Sequence, residues 1–180
     1  MANISNTAKK MSSPQHLTRS NNVGDSGERR FYDSCKAANL NIKKTTSKLD
    51  MYNHTDFIVN NIKFDVKGLK NSHKQGRLLL EIKNVQGKTG WCNSKSSPEY
   101  IAFDFGGFFL CVLNSHLYQF VTKNCDLKNK VNKVEDSLYK GYTRKDRQDL
   151  TTTILLKDAL TNCEHWFLPY QEYNQPMELL

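Results

Sequence analysis

At 180 residues and 20.8 kDa the chain has the length of one domain with a real hydrophobic core, and its 38% hydrophobic content is that of a folded protein. No run approaches the roughly 18 apolar residues of a membrane helix, and the N-terminus lacks a secretory apolar core, so a soluble protein with no membrane partner is expected. The net charge of +8 and pI near 9.2 favour an anionic partner, and five cysteines, odd in number and without a C-x-x-C, signal neither a disulfide framework nor a zinc site and fit a reducing cytoplasm.

Residues 1–25 are rich in Asn, Ser and Lys, with no acid before Asp25 and no apolar periodicity. They read as a flexible basic arm ahead of a single domain over 26–180. The arm's single arginine, Arg19, argues against an organelle transit peptide, which is usually Arg-rich. A helix is predicted to begin at Ser26-Gly27-Glu28, capped by Asp25 or Ser26, and to carry Phe31, Cys35, Ala38 and Leu40 at helical spacing. Glu28 falls in its first turn, where an acid either pairs with the positive helix end or serves chemistry. A strand over 42–46 and a polar stretch over 47–53 follow.

Two short apolar runs then flank Asn60-Asn61, a dipeptide suited to the positive φ angles of a tight turn, and predict an antiparallel hairpin over 54–67. Alternation puts Ile62, Phe64 and Val66 on one face, which builds core, and Lys63, Asp65 and Lys67 on the other, which presents charge. Asp56 starts the first strand, so the hairpin brings its carboxylate near that of Asp65, with Lys67 alongside. Two carboxylates and a lysine suit metal-assisted phosphodiester hydrolysis: the acids hold Mg²⁺, and the lysine orients water and offsets phosphate charge. A solvated charged strand face is the plain alternative.

Gly68 to Gly76 reads as a basic loop and Arg77 to Val85 as a buried strand. That strand holds a second acid-x-lysine, Glu81-Ile82-Lys83. The earlier one is preferred because Asp56 stands one hairpin away, while Glu81 joining from a neighbouring strand, and Lys83 contacting phosphate, stay open. Gly87-Lys88-Thr89-Gly90-Trp91 is either a backbone-contacting loop with Lys88 and a base-stacking Trp91, or a turn with Trp91 in the core. Ile82 stands where a triphosphate-binding loop needs glycine, which removes that reading.

Tyr100 to Phe105 and Phe108 to Leu113, joined through Gly106-Gly107, predict a second hairpin at the centre of the sheet. A short helix over 116–121, a strand over 151–156, at most a helical turn over 158–160, and a tail from Cys163 packing Trp166, Phe167 and Tyr170 across the core complete the expectation. From Lys63 to Lys95 there are eight Lys or Arg against the acids Asp65 and Glu81, and from Lys123 to Arg147 eight against four. This suits a phosphate track around an acidic site, with Lys63, Lys70, Lys88, Arg144, Lys145 and Arg147 as contact candidates.

The order of a helix with Glu28, then Asp56, then Phe64-Asp65-Val66-Lys67-Gly68 resembles the PD-(D/E)XK (restriction-endonuclease-like) nuclease superfamily over about residues 26–113. The basic Lys-rich character, the small single domain and the basic arm resemble its resolvase-like and bacteriophage-encoded members. The resemblance implies an α/β fold with a helix, an antiparallel strand trio, and a further helix and strand, forming a central mixed β-sheet flanked by helices. It implies Glu28, Asp56 and Asp65 as metal ligands for Mg²⁺ (or Mn²⁺) and Lys67 as the catalytic lysine. The expected function is a metal-dependent DNA endonuclease in the cytoplasm, that of the host cell if the chain is viral. Homodimerisation would suit an enzyme cutting two strands, although no seam is legible. A non-cleaving nucleic-acid-binding protein on the same fold and an inhibitor-like protein that meets an acidic partner are the alternatives.

Overall fold

The computed structural model describes residues 14–46, 54–93 and 98–170. Helix α1 (Pro14–Ala37) is followed by β1 (Ile42–Lys44), β2 (Phe57–Val59) and β3 (Ile62–Lys67). A single helical turn α2 (Asn71–Lys74), strand β4 (Arg77–Lys83) and the pair β5 (Tyr100–Asp104) and β6 (Phe108–Leu113) come next. Then follow α3 (Asn114–Asn124), β7 (Asp126–Val131), a 3₁₀ turn over Val134–Asp136, β8 (Lys140–Tyr142), β9 (Leu150–Leu155), α4 (Leu156–Asn162) and β10 (His165–Pro169). The fold is α/β, with a six-stranded sheet ordered β1-β2-β3-β5-β6-β10 and a four-stranded sheet ordered β4-β9-β8-β7. Both sheets are mixed, since β3 runs parallel to β5 and β7 to β8.

Strict alternation along the central strands builds two cores. Ala102, Phe109 and Cys111 face α1, where they pack with Phe31, Cys35, Phe57 and Phe64. Ile101, Phe103, Leu110 and Val112 face the second sheet and meet Leu78, Leu80, Ile154, Leu117 of α3 and Ala159 of α4. Burial on both faces is why β5 and β6 read as unbroken apolar runs. The central mixed sheet was expected; its cover differs from the expectation. One face carries α1, but the other carries a second sheet together with α3 and α4. The further helix implied between β3 and the next strand of its sheet is, among the described residues, only the turn α2.

The helix starts earlier than its sequence signals suggested. Asp25-Ser26-Gly27 resembles a cap, yet α1 runs through it from Pro14, so 14–25 is helical rather than a flexible arm; residues 1–13 of that expected arm lie outside the described residues. Glu28 is consequently far from the first turn, and pairing with the helix end does not account for it. Gly27, Phe31, Ser34 and Cys35 form the buried stripe of the helix. A Cβ on Gly27 would stand 3.0 Å from the Cα of Gly68, so glycine allows α1 to lie against the end of β3.

The hairpin turn is as expected, with φ of 49° at Asn60 and 70° at Asn61. Ile62, expected in the core, is exposed at the hairpin tip, and Asp65, expected on a charged face, is buried, because it shares a face with its register partner Ile101, which packs against the second sheet. The turn expected over 158–160 is the longer α4, and the tail enters the sheet as β10 against β6. The expected polar stretch 47–53 and the end of the tail, 171–180, lie outside the described residues. All five cysteines are free.

Candidate functional site

The β2–β3 register pairs Phe57 with Phe64, and continued by one residue it sets Asp56 opposite Asp65. Both are buried, at 8% and 3% exposure. Asp56 is held by its backbone N–H donating to the Phe64 carbonyl at 2.9 Å, and its Oδ2 accepts a hydrogen bond from the Val66 N–H at 2.7 Å. Burial, and then the charge of Asp65, push the Asp56 carboxyl up to about 8; the Val66 N–H and Lys67 pull the other way. Lys67 Nζ stands 2.7 Å from Asp65 Oδ2, an oxygen that is buried and without a hydrogen-bond partner of good geometry. The expected trio of Asp56, Asp65 and Lys67 therefore comes together.

Glu28 lies close enough for its charge to act on Asp56, but its Oε2 accepts from Lys44 Nζ at 3.0 Å. Among the described residues, no group of three or more His, Cys, Asp or Glu side chains is gathered to hold an ion. The pair of carboxylates nonetheless fits Mg²⁺ or Mn²⁺: the donors are all oxygen, Asp65 Oδ2 already faces a cation in the Lys67 ammonium, and Mg²⁺ is commonly held by one or two carboxylates with water and phosphate completing the shell.

No family model matches the chain, no curated protein matches it, and no solved structure matches it.

The opposite wall of the site comes from the second sheet. Glu81 on β4 is not on a strand beside β3, yet it has Lys67, His54, Asp65 and Arg144 as titratable neighbours; burial pushes its carboxyl up and Lys67 pulls it back. Segment 88–92 folds back on β4, with Gly90 N–H donating to the Ile82 carbonyl at 2.9 Å and Cys92 N–H to the Glu81 carbonyl at 3.0 Å. A Cβ on Gly90 would lie 2.4 Å from the Glu81 carbonyl oxygen. That close approach turns Trp91 inward. Trp91 is 6% exposed and packs in the second core, so it is not a surface for base stacking as one reading expected. Its ring instead faces the Lys67 ammonium, 4.9 Å from the ring centroid.

The expected phosphate contacts divide by position. Lys70 has Lys67, Glu81, Asp65 and Arg144 as charged neighbours, which places it beside the carboxylates. Arg144 is half-exposed, its Nε donating to the buried Asp149 at 2.5 Å. Lys88, Lys145 and Arg147 are exposed on two adjoining loops, joined where Gln148 N–H donates to the Val85 carbonyl at 3.4 Å. Lys83 is exposed at the end of β4 and Lys63 near the tip of the β2–β3 hairpin.

Behind the site, Asp104 is fully buried and bonded by Arg30 of α1, the Tyr170 hydroxyl and the Gly106 N–H, while its carbonyl is 2.8 Å from His73 Nδ1. This network ties α1 and the chain after β10 to the end of β5. Sequence left the entry of Glu81 open and offered Trp91 as a base-stacking residue; His54 and the contact of Trp91 with Lys67 were not assigned from it.

Proposed function

We propose that the chain is a metal-dependent DNA endonuclease that hydrolyses phosphodiester bonds on a restriction-endonuclease-like core. The observation that carries this reading is the pair of buried carboxylates, Asp56 and Asp65, facing each other across β2 and β3 with Lys67 alongside. Helix α1, the β1-β2-β3 meander and the parallel addition of β5 to β3 agree with such a core.

Asp56 and Asp65 are the residues that would hold Mg²⁺ or Mn²⁺, an ion that supplies Lewis-acid polarisation of the scissile phosphate and compensation of its charge. Lys67 orients the attacking water and offsets phosphate charge; Lys70 and Arg144 steer the strand to the carboxylates. Glu28 lies at the edge of the site and tunes Asp56 through its charge. The loops bearing Lys88, Lys145 and Arg147 continue the positive track.

The test is cleavage of labelled linear, nicked, branched and single-stranded DNA with Mg²⁺ or Mn²⁺. Wild type cuts at least one substrate, and Asp65→Ala and Lys67→Ala lose at least about a hundredfold in rate while still binding it. Binding by wild type without cleavage of any substrate would leave a nucleic-acid-binding protein on the same fold. Cleavage unchanged in Asp65→Ala would overturn the assignment.

A further inference from the structure

The position that Asp65 offers to a metal ion is held by the chain's own cation. Lys67 Nζ is 2.7 Å from Oδ2 of the buried Asp65, and a divalent ion on that same oxygen would meet the ammonium at close range. Lys67 must therefore move for the ion to enter. Its exit is constrained, because the Trp91 ring lies on one side of the ammonium.

The opposite sheet presents an acceptor. The backbone at Glu81 is irregular, since the pairing of β4 with β9 shifts register between Glu81 and Lys83, and Trp91, whose ring meets the Lys67 ammonium, lies between the two residues, Gly90 and Cys92, that bond this stretch of β4. The other edge of Glu81 is gripped by Cys92 N–H, and only glycine at position 90 permits that approach. The strongest charge acting on Glu81 is that of Lys67, although the ion pair of Lys67 is with Asp65.

We propose that Lys67 occupies the cation position of Asp65 in the metal-free protein and that Glu81 takes up its ammonium when a divalent cation binds, which makes Glu81 a positioning residue for Lys67. This rests on the metal-dependent reading above. Glu81 acts on the ion only through Lys67, so its effect on metal affinity disappears once Lys67 no longer competes.

The experiment is a calorimetric Mn²⁺ titration of the full chain as wild type, Lys67→Met, Glu81→Gln and the double variant, each shown folded by circular dichroism. Should Glu81→Gln not fold, Glu81→Asp, with its shorter reach, takes its place in the cycle. Lys67→Met tightens Mn²⁺ binding about tenfold, Glu81→Gln weakens it about tenfold, and the double variant binds as Lys67→Met does. Affinity unchanged by Lys67→Met, or a Glu81→Gln loss that persists in the Lys67→Met background, overturns the exchange and leaves the metal reading standing. No binding by any of the four removes the metal reading itself.

Discussion

Asp56 illustrates how a single buried acid records a site's purpose. Its carboxyl is raised to about 8 by burial first and by Asp65 second, so in the metal-free protein ionising it costs stability. The folded value lies above the ordinary one, so the contribution is fully present below the ordinary carboxylate range and is lost as pH rises through about 8. Asp56→Asn keeps an acceptor for the Val66 N–H and removes the charge. Urea denaturation of the metal-free protein should show Asp56→Asn more stable than wild type at pH 9 by at least about 1.4 kcal/mol, a tenfold change in the folding equilibrium. The gap narrows as pH falls from about 8 and closes only below the ordinary carboxylate range, where the acid is protonated in both the folded and the unfolded chain. A variant destabilised at alkaline and acid pH alike would mean that the Asp56 charge is compensated within the fold.

Elements reach this site because one turn and one glycine set their approach. The β2–β3 hairpin depends on Asn60 and Asn61 with positive φ, and glycine at the second position suits that turn better than asparagine. Asn61→Gly should raise the midpoint of thermal unfolding by an amount equivalent to about 0.5 kcal/mol, and Asn61→Val should lower it. Gly90 is less forgiving: the atoms a Cβ would strike belong to the Glu81 and Ile82 backbone, which cannot rotate away. Gly90→Ala should cost about 1–3 kcal/mol in urea denaturation and lift segment 88–92 from β4. Loss of the Trp91 emission characteristic of a buried indole would report that lift, whereas an unchanged spectrum and midpoint would show that the segment has room to yield.

At the scale of the whole molecule, the net charge is +8, with Lys70 and Arg144 among the charged neighbours of the carboxylate site and Lys88, Lys145 and Arg147 exposed on two adjoining loops. Phosphate contacts release counterions, so DNA affinity should fall steeply with salt. Replacing Lys88, Lys145 and Arg147 together by alanine should reduce the slope of log affinity against log salt by about 0.9 per lost phosphate contact. Fluorescence anisotropy over a salt series measures it. A slope unaffected by the triple change would move the contact to another face, and binding insensitive to salt would favour an acidic protein partner.

The local features of this protein were decided by its sequence. Alternation in 62–67, the Asn60-Asn61 turn, and the apolar runs of β5 and β6 each rest on short-range geometry, and so Asp56, Asp65 and Lys67 could be assigned together before any long-range contact was known. The start of α1 was not legible in the same way, because Asp25-Ser26-Gly27 has cap chemistry while the helix continues through it to lie against Gly68. Other features arise only on folding. Asp65 is buried on the face it shares with its register partner Ile101, which packs against the second sheet, and Trp91 meets Lys67, and Glu81 feels its charge, only when residues distant in the chain come together. The physical reason is range: backbone conformation and side-chain alternation are set by neighbours in sequence, whereas burial, charge coupling and the closing of one sheet over another depend on contacts that no local pattern encodes.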